Sequence, residues 1–347
     1  MSMPSNMEEF AKAVEKDLTD RLENHFPGIQ VEHTFIEKAQ GESYNGMRLH
    51  LPEREVAPIL KMEPYYERIA ESESYNDVLE DIAVHATEAI RQAPTIDMSQ
   101  FTDYEHMREK LLMQAIPIRG NEDLLKRAPH REMEDIALIY RVVISDSDRG
   151  KMSTVITNDM MQRYEITADE LYADAVIAMT NNDPYKIAPL FDALCAMSPE
   201  YGEHQEPDNR IYLATNGRAH FGAGVIGHPE FMGDAARIVG DNFFILPSSI
   251  HEVLLVPDDG TMRYQELEQM VAGINASMVS PEERLTDNVY HYDAKDQVFE
   301  MAKSFAERMA EKQERPSVLA DLAEKKQQLS DRPVPVVSDG SRDNMSL

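Results

Sequence analysis

The chain has 347 residues, 42% of them hydrophobic and 28% charged, enough apolar material for a packed core and too much for a disordered chain. Its 63 acidic and 34 basic residues leave a net charge of −29, which repels nucleic-acid phosphates and argues against direct DNA or RNA binding unless cations cluster locally. The single cysteine, Cys195, excludes an intrachain disulfide and a cysteine metal cage, and no segment approaches the roughly 18 consecutive apolar residues of a membrane helix.

The first residues carry acids early and no apolar run, so they do not read as a secretory signal, and the expected location is the cytoplasm. The first helix is marked by Asn6 and Glu9 at capping spacing and by the stripe Phe10, Val14, Leu18 and Leu22, with Pro27-Gly28 as its stop. Strands are expected over 29–36 and 44–51, where Leu49 and Leu51 alternate with His50. Ser74 and Asp77 cap a second long helix with the stripe Val78, Ile82, Ala86 and Ile90.

The middle reads as sheet. Strands are predicted over 111–118 and 135–144, and the near-continuous apolar run Ile136–Val143 marks a central strand covered on both faces, with Ile139 at its heart. The turn at 146–150 leads into a strand over 151–157, and Thr167 with Glu170 forms a capping box for a helix through Leu171, Ala175 and Ala178. A polar loop over 198–209 precedes strands at 211–215, 223–226, 243–246 and 252–256, the last two pairing. Leu267, Met270, Val271, Ile274 and Met278 mark one amphipathic helix, and Val298, Met301, Phe305 and Met309 another. From Ser330 onward the chain shows no periodicity and reads as a disordered tail.

The expected fold is α+β, with mixed or antiparallel sheet regions packed against amphipathic helices and a helical C-terminus. The 21 methionines, with no tryptophan, suit an adaptable helical core. The expected organisation is an N-terminal helix and strand lobe over 1–110, a central and C-terminal α+β lobe over 111–300, a helical extension over 301–329 and the tail over 330–347.

Several strings occur together: GNEDLLKRAPHREMEDIALIYRVVI at 120–144, TNDMM at 157–161, FGAGVI at 221–226, FFILPSSIHEVLLVPDD at 243–259 and VSPEERLTDNVYHYD at 279–293. In these the chain resembles the bacterial domain-of-unknown-function family 5688, and more distantly family 1444. The resemblance covers roughly residues 7–300. It implies a cytoplasmic protein of gut-type bacteria, often encoded beside mobile elements, and it brings no activity, substrate or cofactor.

Six segments carry residues of chemical interest, each with a structural alternative. Gly222, Gly224 and Gly227 match G-x-G-x-x-G, but Val225-Ile226 inside the motif and Pro229 behind it fit a strand leaving a glycine turn better than a dinucleotide loop. Asp146, Asp148 and Gly150 resemble the start of a calcium loop, yet Lys151 and Thr157 occupy the positions where that loop needs Gly and Glu, so a hairpin is expected. Asp81, His85 and Glu88 lack the second helix a di-iron site requires. Ser248, Ser249, His251 and Glu252 place a hydroxyl, a base and an acid together, against the alternative of a tight turn. Pro129, His130, Arg131 and Glu132 sit at a sheet end, where loops carry function, or where Arg131 pairs with an acid. Cys195, within the apolar run 190–197, reads as a buried core thiol.

The negative charge has three readings, solubility, a basic protein partner or mimicry of nucleic acid, of which solubility is the commonest; the resulting expectation is a cytoplasmic protein acting through contacts with an unidentified protein partner, with no cofactor, no metal, no membrane and no direct nucleic-acid contact. One alternative is a hydrolase centred on His130, Arg131, Ser249, His251 and Glu252. The other is an acidic mimic of nucleic acid.

Overall fold

The computed structural model describes residues 6–36, 43–54, 56–93, 101, 103–147, 150–198, 210–247 and 249–314. Residues 199–209 and 315–347, where most of the expected polar loop, most of the expected helical extension and the expected tail fall, lie outside them. Among the described residues the protein is α+β with three antiparallel sheets, so the mixed pairing allowed for above does not occur. No helix among them is long and apolar enough to cross a membrane.

The first sheet is built from β1 (Gln30–Ile36), β2 (Tyr44–His50) and β3 (Ile59–Lys61) in that order. Helices α1 (Met7–Leu22), α2 (Glu63–Ala70) and α3 (Tyr75–Gln92) supply the rest of its core, which includes Phe10, Val14 and Leu18 with Val31, Met47 and Ile82. The Asn6 side chain accepts from Glu9 N at 2.9 Å, as its spacing predicts. Helix α1 stops at Leu22, short of Pro27. Ser74 precedes α3 in an extended conformation but makes no side-chain capping bond.

The second sheet is organised by the long strand β6 (Ile136–Ser147). Strand β4 (Leu111–Pro117) flanks it on one side, and β5 (His130–Met133) and β7 (Gly150–Val155) pair with successive parts of it. Ile139 lies opposite both Gln114 and His130 and is fully buried. One face of this sheet enters the main core; the other carries Ile116, Ala137 and Ile139, packed with Leu125 of α5 (Glu122–Arg127). Helices α4 (Tyr104–Met107), α6 (Asn158–Tyr164) and α7 (Ala168–Asn182) belong to the same region, and α7 opens with the complete Thr167–Glu170 capping box.

The third sheet contains β8 (Tyr185–Pro189), β9 (Tyr212–Asn216), β10 (Phe243–Leu246), β11 (Val253–Pro257), β12 (Tyr290–Asp293) and β13 (Val298–Met301), in the order β13-β12-β10-β11-β9-β8. Helices α8 (Leu190–Met197), α9 (Phe231–Val239) and α10 (Tyr264–Met278) complete this region. Helix α11 (Ala302–Glu314) belongs to a separate unit of the chain.

Four expectations need correction. Residues 223–226 are not a strand but part of a buried 3₁₀ segment, Gly222–Gly227. A Cβ on Gly224 would stand 2.2 Å from Met113 O, and one on Gly222 2.3 Å from His251 O. The glycines permit close backbone approach to neighbouring strands, so the motif is packing, not a phosphate cradle. Residues 298–301 are strand, because pairing with 290–293 outweighs the helical spacing of Val298 and Met301, and the helix starts at Ala302. Met270 and Met278, placed on the apolar stripe of α10, are exposed while Leu267 and Val271 are buried. Cys195 is half-buried, since α8 is a short helix with only partial cover.

Candidate functional site

The segment at 130–131 is held by local bonds. His130 lies in β5, and its Nδ1 is 2.9 Å from Ala128 O. The Arg131 guanidinium donates to Asp169 at 2.7 Å and lies 3.8 Å from the centre of the Tyr172 ring, so it fastens β5 to the first turns of α7. Lys126, in the same basic stretch, pairs with Asp123 at 2.7 Å. This local neutralisation keeps the stretch from forming a continuous cationic patch.

The segment at 249–252 forms a turn. Ser249 is buried, and its Oγ accepts from the His251 backbone N–H at 2.9 Å, a serine turn of the kind such residues favour. Its backbone bridges to Arg284, and Ile250 N donates to Glu283 O at 2.9 Å. The His251 Nδ1 accepts from Phe221 N at 3.2 Å, and its Nε2 lies 3.5 Å from Glu283 Oε1. Both ring nitrogens thus have partners other than the Ser249 hydroxyl. Glu252 is half-buried and leads into β11, and Ser248 lies outside the described residues. Among the described residues no hydrogen bond, ion pair or ring contact joins 130–131 to 249–252.

The other candidates also have local partners. Asp146 pairs with Arg218 at 3.3 Å, in a hairpin as expected. Asp81 bonds Arg68 at 2.7 Å, His85 meets the Tyr65 hydroxyl at 2.7 Å, and Glu88 accepts from Gln92 at 2.8 Å. Among the described residues no group of three His, Cys, Asp or Glu side chains is arranged to hold a metal ion.

A groove that sequence reasoning missed runs beside α7. One cleft of about 580 Å³ lies where α4, the end of α6 and the first half of α7 meet, with Asp103, Glu105, Glu170 and Asp174 in its lining and Tyr104 and Tyr164 as aromatic wall. A second, of about 350 Å³, shares Arg108 and Asp174 with the first and extends past Glu109 and Ile177. Arg108 and Arg163 are the cations of the two linings, and Arg108 already pairs with Glu105 at 2.8 Å. The carboxylates outnumber the guanidiniums, so the local potential is negative.

The aromatic wall is held in place by side-chain bonds. Tyr104 donates to Asp174 at 2.8 Å, and its ring lies 5.8 Å from that of Tyr164, whose hydroxyl donates to Phe101 O at 2.6 Å. Burial, then the bond to Asp174, pushes the Tyr104 phenol above its usual range, so it stays a neutral donor. Ile177 is 56% exposed on the outward side of α7, while Leu171, Ala175 and Ala178 are buried. An isoleucine off the buried stripe was the one sequence signal of this surface; the aromatic wall comes from segments far apart in the chain.

The model of a family of unknown function, DUF5688, matches residues 7–294, and the chain belongs to that family. No curated protein matches it. No solved structure matches it either.

Proposed function

We propose that this member of DUF5688 is a cytoplasmic binding protein that engages a basic partner protein through the groove along α7. The observation that carries this reading is two adjoining acidic clefts that share Arg108 and Asp174, one walled by Tyr104 and Tyr164 and the other lined by exposed Ile177. Lysine or arginine side chains of a partner would meet the carboxylates, and their aliphatic stems would lie on the tyrosine faces and Ile177. The net charge of −29 adds long-range attraction for a cationic partner and speeds encounter.

The groove between α1 and α3, about 680 Å³, is a weaker candidate, because Arg21, His25 and Arg91 offset Glu80 and Glu88. The hydrolytic alternative draws less support than binding: Ser249 Oγ is engaged in its turn and His251 is engaged at both nitrogens. A nucleophile needs its base within hydrogen-bond reach.

The test is a calorimetric titration with a lysine-rich amphipathic peptide at two salt concentrations. Saturable binding that weakens with salt is expected. The exposed substitutions Glu105→Lys and Ile177→Asp should each weaken it about tenfold, near 1.4 kcal/mol, while Glu88→Lys in the other groove should leave it unchanged. Equal binding by all three variants, or none by the parent protein, refutes the proposal.

A further inference from the structure

Arg141 is a cation set inside the apolar run of the central strand, and the partners of its side chain among the described residues are neutral. Its Nε donates to Ser153 Oγ at 2.9 Å, its Nη2 to Ser153 O at 3.0 Å and its Nη1 to Gln114 Oε1 at 3.1 Å. The guanidinium also lies 5.0 Å from the centre of the Phe221 ring. Among the described residues no carboxylate pairs with it.

This is unusual chemistry for a chain with 63 acidic residues. A desolvated charge is costly unless it is paired. Burial draws the guanidinium down to about 10, and no neighbouring charge counteracts that shift. A guanidinium has five N–H donors, and three are used, leaving one on each terminal nitrogen. Two such donors match the paired oxygens of a carboxylate or phosphate.

The segment beside it is held in a demanding conformation. Ala219 and Phe221 both adopt the left-handed region, with φ of 49° and 56°, which a non-glycine residue keeps only when its surroundings enforce it. The enforcement is visible: buried Asn216 accepts from His220 N at 3.1 Å and donates to His220 O at 2.9 Å. That loop places Phe221 against Arg141 and brings the His220 ring within 5.5 Å of the His251 ring.

We propose that Arg141 is the recognition group of a site for a small anion bearing two adjacent anionic oxygens, a carboxylate or a phosphate, bordered by Phe221 and His220. The ligand supplies the counter-charge that no described carboxylate provides. This site is independent of the α7 groove.

The probes are inorganic phosphate and acetate, each compared with chloride at matched ionic strength. Calorimetry of the full chain should show saturable, one-to-one binding of phosphate or acetate, and the stronger of the two identifies the oxyanion class. Chloride should not compete. Because the protein is strongly anionic, non-specific anion uptake is disfavoured, so saturation reports a built site. Arg141→Met should abolish binding, and Arg141→Lys, which keeps the charge but loses the fork, should weaken it at least about tenfold. In case these variants fail to fold, the Nε–H resonance of Arg141 in the unaltered protein provides a second readout: it should shift on titration with the same midpoint. No saturable binding of either probe, an Arg141 resonance that stays put, or undiminished binding by Arg141→Met overturns the proposal.

Discussion

Asp135 and Tyr290, 155 positions apart, are joined by a hydrogen bond from the buried phenol to the carboxylate. The same carboxylate accepts from Thr286 Oγ1 at 2.9 Å and Asn288 Nδ2 at 2.8 Å. One side chain at the β5–β6 turn therefore ties the central sheet to the entry of β12. Removing the acceptor strands a buried hydroxyl. Asp135→Ala is expected to lower unfolding free energy by about 1–3 kcal/mol. Tyr290→Phe should cost less, since it leaves a carboxylate that retains two donors. Urea denaturation of both variants checks the order; an equal or reversed order would place the energy elsewhere.

Acid stability should depend on His228. It is buried, its Nδ1 accepts from Glu230 N at 3.3 Å, and its Nε2 faces Thr180 Oγ1 at 3.0 Å. Burial is the main cause that lowers its pKa below the usual value, with Glu230 opposing. The folded state therefore binds a proton less readily than the unfolded state. The stability it contributes is complete above the unfolded value near 6.5 and is lost as pH falls through the depressed folded value. Melting temperature should fall below about pH 6.5, and His228→Gln should flatten that limb. An unchanged acid limb in the variant would assign it to other groups.

Two glycines should respond to alanine with opposite signs. Gly224→Ala drives a Cβ to within 2.2 Å of the Met113 carbonyl, where no flexible side chain can yield. A loss of about 1–3 kcal/mol or more is expected. Gly233 lies inside α9 with nothing within 4 Å of its would-be Cβ. Gly233→Ala should stabilise by about 0.5–1 kcal/mol, through a smaller entropy loss on folding. Differential scanning of the two variants decides it, and a neutral Gly224→Ala would mean the 3₁₀ segment can move off β4.

Residue pattern alone determined what depends on near neighbours. The stripes of α1 and α3, the Thr167–Glu170 capping box, the central strand and the β10–β11 pairing are all local or consecutive, and their physics acts over a few residues. The strings shared with the family were legible for the same reason, being contiguous. Tertiary structure decided the rest. Whether Gly222–Gly227 was strand, phosphate loop or packed turn depended on the backbone of Met113 lying against it, more than a hundred positions away. The partners of Arg131 and His251 came from α7 and from the 283 segment, which no spacing reveals. The α7 groove is assembled from α4, α6 and α7, and its acidity is visible only once Glu105 and Asp174 are on one surface. Arg141 stands in the near-continuous apolar run of the central strand, but that its partners among the described residues are neutral is a property of three-dimensional neighbours. Charge compensation acts through space, so only the folded chain could show where it is missing.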